Sequence, residues 1–122
     1  MVQLRSIIKP ADNCGAKALM IIHVYRGGHH KKATIGDICL AVVRGAIPNG
    51  VIKDDEKVRV VIVRTKKEVR RFDGSYIRFS DNAGVIIDTQ GTPRGSRIFG
   101  PIAREIKDAG FNKIASIAKE VY

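Results

Sequence analysis

The chain has 122 residues and a mass of 13.4 kDa, with twenty-two Lys and Arg against twelve Asp and Glu, so it carries a net charge of +10 and an isoelectric point near 10.0. That length accommodates one domain, 1–122, and a composition of 44% hydrophobic and 28% charged residues excludes a disordered chain. A positive charge of this size repels itself in the compact state and concentrates polyanions at the surface, so the expected partner is nucleic acid.

A membrane partner is not expected, because no apolar run exceeds the six residues of 38–43, where a span needs roughly 20. The opening MVQLRSIIKPADN holds neither the apolar core nor the cleavage site of a secretory leader. Cys14 and Cys39 form no C-x-x-C pair, which leaves a zinc finger without ligands, and they read as small buried thiols in a reducing compartment.

In chain order, the turn ADNCG precedes KALMIIHVY (17–25), a strand by its β-branched and aromatic content. DICLAVVR (37–44) is a second strand, closed by the turn GAIPNG. KVRVVIVRTKK (57–67) alternates charged and β-branched residues and runs into RTKKEVRRFDGSYIRF (64–79). There Asp73-Gly74, flanked by VRRF and SYIRF, predicts a hairpin whose central positions both tolerate positive φ, hence a projecting β-ribbon. NAGVIID (82–88) is a further strand, and QGTPRGSRIFGP (90–101) is a loop by its Gly and Pro content.

Helical spacing is confined to the end. Pro101 suits a first helical position, with Ile102, Ala103 and Ile106 forming an apolar stripe until Gly110. FNKIASIA (111–118) forms a second short helix with Phe111, Ile114 and Ile117 or Ala118 on one face. The expected fold is mainly β, a small closed five-stranded β-barrel with a projecting β-ribbon and two short C-terminal helices; barrel and ribbon fill 1–90, the loop and helices 91–122.

Enzyme chemistry is not expected. Cys14 is the best nucleophile, with Asp12 beside it, but His23 lies roughly 20 Å away along a strand at about 3.3 Å per residue. His29 and His30 have Lys31 and Lys32 beside them and no third ligand, so a solvated basic loop tip is expected in place of a metal site. QGTPRGSRIFG lacks the phosphate-loop pattern. No catalytic residue, cofactor, metal or small-molecule substrate is expected.

The basic residues are grouped. Residues 64–79 carry six positive charges against two negative, and 94–104 add Arg94, Arg97 and Arg104 with no acid, where a generic surface mixes signs. Aromatics are 6% of the chain and Trp is absent, which argues against a base-stacking sheet, and no long recognition helix is present for a DNA groove. Structured RNA, read through phosphates and 2′-hydroxyls, remains.

ADNCGAK, GD at 36 and 37, AIPNG, VVIVRTKK, RRFDGSYIRFSDNAGVI, GSRIFGPIARE and KIASIAKEV, in this order, resemble along the whole chain the family of the fourteenth protein of the large ribosomal subunit, which is universal in ribosomes. IFGP and KIASIA are closer to its bacterial or organellar branch. The resemblance implies a structural constituent of the large subunit, in cytoplasmic or organellar ribosomes, that binds 23S-type rRNA directly. It also implies a place at the subunit interface with bridges to small-subunit rRNA, neighbouring large-subunit proteins three and nineteen, and docking of a ribosome-silencing factor. A free-standing RNA-binding barrel, such as a translation or RNA-chaperone factor, is the alternative.

The RNA contacts the resemblance implies are Lys17, Arg64, Lys66, Lys67, Arg70, Arg71, Arg78, Arg94, Arg97 and Arg104, with Asn13 and Asn82 at matching turn positions. Five local departures stand out. Glu68 replaces a common Gly, Phe72 a common Pro, Lys32 a Tyr and Lys119 a Pro, and VIKDDEKV (51–58) is more acidic than usual. Self-repulsion of the ribbon predicts that it is mobile without RNA.

Overall fold

The computed structural model describes residues 2–25, 32–48, 50 and 52–122; the histidines of the expected basic loop tip, 29 and 30, lie outside the described residues. Five strands close into a barrel in the order β2 (Ile7–Pro10), β3 (Ala16–Val24), β5 (Ile38–Ala46), β6 (Lys57–Arg64) and β9 (Ala83–Ile87). A two-residue pair, β1 (Val2–Gln3) with β4 (Lys32–Ala33), lies outside it.

The stretches expected at 17–25, 37–44, 57–67 and 82–88 are β3, β5, β6 and β9. The remaining barrel strand is β2, which composition does not announce because it is four residues long and ends in Pro. It pairs antiparallel with β3 and parallel with β9, closing the barrel. The parallel pairing uses the N–H of Lys9 to the Asn82 carbonyl (3.0 Å) and of Ala11 to the Gly84 carbonyl (2.8 Å), so Pro10 between them is asked for no donor. Gly84 is needed at this seam: a Cβ there would stand 3.0 Å from Ile8 Cδ1 and 3.2 Å from the Val61 carbonyl.

Two apolar layers hold the fold. Ile8, Leu19, Ile21, Val43, Val60, Ile62 and Ile86 fill the barrel. The outward side chains of the same two strands, Val61 and Val63 of β6 and Val85 and Ile87 of β9, are covered by Ile98, Ile102, Ile106 and Ile114 from the C-terminal segment. This wall is buried on both faces, which is why residues 60–63 and 83–87 read as continuous apolar runs and not as alternation. Each fully buried isoleucine contributes about 1.5–3 kcal/mol.

The C-terminal helices are α1 (Glu105–Asp108) and α2 (Asn112–Ile117). The expected start at Pro101 is corrected: the backbone of the next two residues is committed elsewhere. Ile102 donates to the Glu120 carbonyl (3.0 Å) and accepts from Tyr122 (2.9 Å), while Ala103 donates to the Val63 carbonyl (3.3 Å). The stripe of Ile102, Ala103 and Ile106 is fully buried all the same, because burial follows the wall it covers and not the helix. Gly110, at φ +98°, ends the first helix as expected.

Candidate nucleic-acid interface

The ribbon consists of β7 (Val69–Arg70) and β8 (Tyr76–Ile77), with Val69 opposite Ile77 and Arg70 opposite Tyr76. Its turn differs from the expected two-residue form. Arg71 and Ser75 close a three-residue loop, Phe72-Asp73-Gly74, in which Arg71 donates to the Ser75 carbonyl (2.8 Å) and Gly74 to the Arg71 carbonyl (3.0 Å). Only Gly74 has positive φ, +87°, so this is a type I turn followed by a left-handed glycine. Asp73 Oδ1 accepts both the Ser75 N–H (3.0 Å) and its hydroxyl (2.6 Å), and these bonds hold its carboxyl below the usual range. Val69, Ile77 and Phe79 pack the ribbon's base against the outer apolar layer.

The ten expected contact residues divide by what their charged ends do. Lys17, Lys66, Lys67, Arg70, Arg78, Arg97 and Arg104 are exposed. Lys67 Nζ meets Glu68 Oε1 at 3.0 Å in a solvated pair that water and salt screen strongly. Glu68 thus has a local explanation: its carboxyl is held low by its own backbone N–H, by Lys67 and by the field of Arg78, making it a counter-charge within the basic cluster. Arg70, Arg78, Arg97 and Arg104 have no carboxylate at ion-pairing distance among the described residues.

The other three arginines are taken up inside the fold. Arg64, expected at the interface, is buried: its Nε donates to Asp81 Oδ1 (2.9 Å), Nη2 to Asp81 Oδ2 (3.4 Å), and Nη1 to the carbonyls of Phe99 (2.8 Å) and Pro101 (3.2 Å). Arg71 Nε lies 2.7 Å from Glu105 Oε1, while its aligned hydrogen bond runs from Nη2 to Oε2 at 3.3 Å, which ties the ribbon to α1. Arg94 Nη1 donates to Glu56 Oε2 at 2.8 Å. That bond holds the Glu56 carboxyl below its ordinary value and outweighs its partial burial. The acidic loop is likewise internally occupied, since Asp54 accepts the Gly45 N–H (2.9 Å) and Asp55 faces Arg44 at 3.5 Å.

The second basic loop is framed by the turn at 11–15. Asn13 Oδ1 accepts the backbone N–H groups of Ser96 (2.9 Å) and Arg97 (3.2 Å), and its Nδ2 donates to Ser96 Oγ (3.0 Å). Asn13 therefore sets the backbone that presents Arg97, and Lys17 lies on the strand that leaves the same turn. Asn82 plays the matching part at the ribbon's base, where its Oδ1 accepts the Lys66 N–H at 2.9 Å. The exposed cations form two groups, one at the ribbon and one around the 11–15 turn, joined through Arg64 and its carbonyl partners in the loop between them.

The surroundings of Cys14 are those of a buried thiol. Cys14 Sγ is buried and donates to Asp12 Oδ2 (3.3 Å); burial and the neighbouring carboxylate push its pKa to about 12, so it is a thiol at neutral pH. Asp12 is itself raised by burial, although it accepts the Ile86 N–H (3.1 Å). Burial pushes Cys39 to about 12 as well. His23 stacks edge-on against Tyr25, with ring centroids 4.7 Å apart, and is not paired with the thiol. Among the described residues no three His, Cys, Asp or Glu side chains gather as a metal site.

Sequence reasoning did not find Asp81, Glu56 and Glu105, the acids that occupy the three internal arginines. They stand 17, 38 and 34 residues from their partners, and only the tertiary fold brings them together.

The family model described as ribosomal protein L14p/L23e matches residues 1–122. A relative from Petrotoga mobilis (strain DSM 10674 / SJ95), named large ribosomal subunit protein uL14, is 56% identical over 122 residues, covering 100% of both chains.

Proposed function

Because the chain belongs to the ribosomal protein L14p/L23e family, a structural component of the large ribosomal subunit in the cytoplasm, we propose that its exposed cations hold large-subunit rRNA directly. The contact set is Lys66, Lys67, Arg70, Arg78 and Arg104 around the ribbon, with Lys17 and Arg97 at the 11–15 turn. The observation that carries this reading is the division of labour among the arginines. Those with internal acid partners frame the ribbon and loop, and Arg70, Arg78, Arg97 and Arg104 on the same segments stay exposed without one among the described residues. Unpaired guanidinium groups on a framed backbone are suited to phosphate oxygens.

The same reading gives the protein a place at the subunit interface, with bridges to small-subunit rRNA. Its protein neighbours are large-subunit proteins three and nineteen and a ribosome-silencing factor, and the exposed Phe99, Val121 and Tyr122 of the C-terminal segment suit such contacts. It is not an enzyme on this reading.

Binding of the purified chain to large-subunit rRNA, measured across a salt series, tests the proposal. Replacing Arg70 and Arg78 by Ala lowers the slope of log K against log salt by about one unit per lost phosphate contact. An unchanged slope would remove the ribbon from the RNA. Recovery of the protein only in soluble fractions, away from large subunits, would favour the free-standing factor.

A further inference from the structure

Phe72 stands at the ribbon tip with a relative exposure of 112%, the highest of the exposed apolar side chains among the described residues, and Tyr76, opposite Arg70, is exposed on the strand beside it. The fold does not require it, since the second position of a type I turn accepts most residues. Yet the backbone that carries the ring is held in a defined place. The loop below it is closed by the Arg71–Ser75 and Gly74–Arg71 bonds and by the Asp73 carboxylate on Ser75. Arg71 in turn fastens the ribbon to α1 through Glu105.

Arg70, Arg71 and Phe72 together line an open hollow. Its rim is charged, and the tip lacks the surrounding apolar contacts that make an exposed aromatic ring a centre for a protein interface. A flat π-face beside a cation is instead complementary to a nucleobase, with the exposed Arg70 placed to attract the phosphate of the same nucleotide.

Resting on the RNA-binding reading above, we infer that the ribbon tip receives an unpaired nucleobase of the RNA, stacked on Phe72 between the side chains of Arg70 and Arg71. The ribbon is then more than a phosphate prong: the cations hold the backbone, and the ring selects a place where a base is out of its helix.

The full-length chain, its Phe72→Ala, Phe72→Trp and Arg70→Ala variants, and large-subunit rRNA decide the matter. Loss of one stacked base lowers affinity about 5- to 150-fold, so Phe72→Ala is expected to bind more weakly by a factor in this range. That factor is the same at low and high salt, because no phosphate contact is lost. Phe72→Trp binds as the parent does, and because the chain has no other Trp, quenching of its indole fluorescence by RNA reports the stack. Unchanged affinity of Phe72→Ala alongside a reduced salt slope for Arg70→Ala would overturn the stacking and leave the RNA contact standing. Failure of the parent chain to bind rRNA would overturn both. Unchanged affinity for naked rRNA, with weaker retention of Phe72→Ala in the assembled subunit, would assign the ring to a protein neighbour and also refute the stack.

Discussion

Arg64 grips Asp81 with Nε 2.9 Å from Oδ1 and at the same time caps the carbonyls of Phe99 and Pro101. One guanidinium thereby joins the end of β6, the segment after the ribbon and the loop that carries Arg97. The Arg64 side chain is 9% exposed and that of Asp81 23%, so the pair is partly shielded from water. Removing one partner of a fully buried pair costs about 3–5 kcal/mol. For this half-shielded one, Arg64→Ala is expected to lose about 2–3 kcal/mol in urea unfolding. Arg64→Lys recovers little, since an ammonium cannot reach four acceptor oxygens in a planar fork. The salt slope of RNA binding by the folded variant stays as in the parent. A stable Arg64→Ala with a reduced slope would return this residue to the RNA face.

Gly100 depends on the same clamp. Its φ of +81° is left-handed, and a Cβ built there collides with Arg64 Nη1. Gly100→Ala is therefore expected to lose about 1–2 kcal/mol from backbone strain and roughly as much again from the displaced guanidinium. In an Arg64→Ala background only the strain remains, so the two substitutions are non-additive by about 1 kcal/mol or more in a double-mutant cycle. Strict additivity would mean that the clamp does not use the space the glycine leaves.

How far the sequence carries can be judged from these residues. The four longer barrel strands are legible because their β-branched runs match their burial, and Gly74 marks the hairpin correctly. β2 is not legible, because IIKP gains strand character only from two partners distant in sequence, β3 and β9. Nor is the start of α1, where local spacing favours a helix but Ile102 and Ala103 bond to Glu120, Tyr122 and Val63. For the interface, charge clustering locates the right segments and cannot separate Arg70, which is exposed, from Arg71 beside it, which is held by Glu105. That distinction is created by packing alone.

Two carboxyls give the stability opposite dependences on pH. Glu56 is held below its ordinary 4.5 by Arg94, so its contribution is complete above that value and is lost as pH falls through the lower folded one. The Glu56→Gln variant should trail the parent by about 0.5 kcal/mol at neutral pH and draw level in acid, once the carboxyl is protonated in the folded state too. Asp12 is raised above its ordinary 3.8 by burial, so its contribution is present below that value and declines as pH rises through the folded one. Asp12→Asn loses an acceptor facing Cys14 or Ile86 and costs about 2 kcal/mol in acid. That penalty shrinks as pH rises through the raised folded value and the parent takes on a buried charge. Urea unfolding at several pH values reads both; parallel curves for the two variants would contradict the assignments.

The Arg71–Glu105 pair changes what is expected of the free ribbon. Two strands of two residues each are marginal alone, and repulsion among the exposed cations opposes them, so mobility without RNA is the natural expectation. The side chains of the pair are only 13% and 29% exposed, however, and they fasten the ribbon to α1 just below its tip. Opening therefore has to break this contact first. The amides of Arg71 and Gly74, bonded within the turn, should exchange more slowly in the parent than in Glu105→Gln. The difference is about 5-fold for a contact worth roughly 1 kcal/mol. Arg71→Ala should speed exchange equally and leave the salt slope of RNA binding unaltered, in contrast to Arg70→Ala. Equal exchange in parent and Glu105→Gln would show that the ribbon moves free of α1, and a reduced slope for Arg71→Ala would show that RNA takes this arginine from its acid.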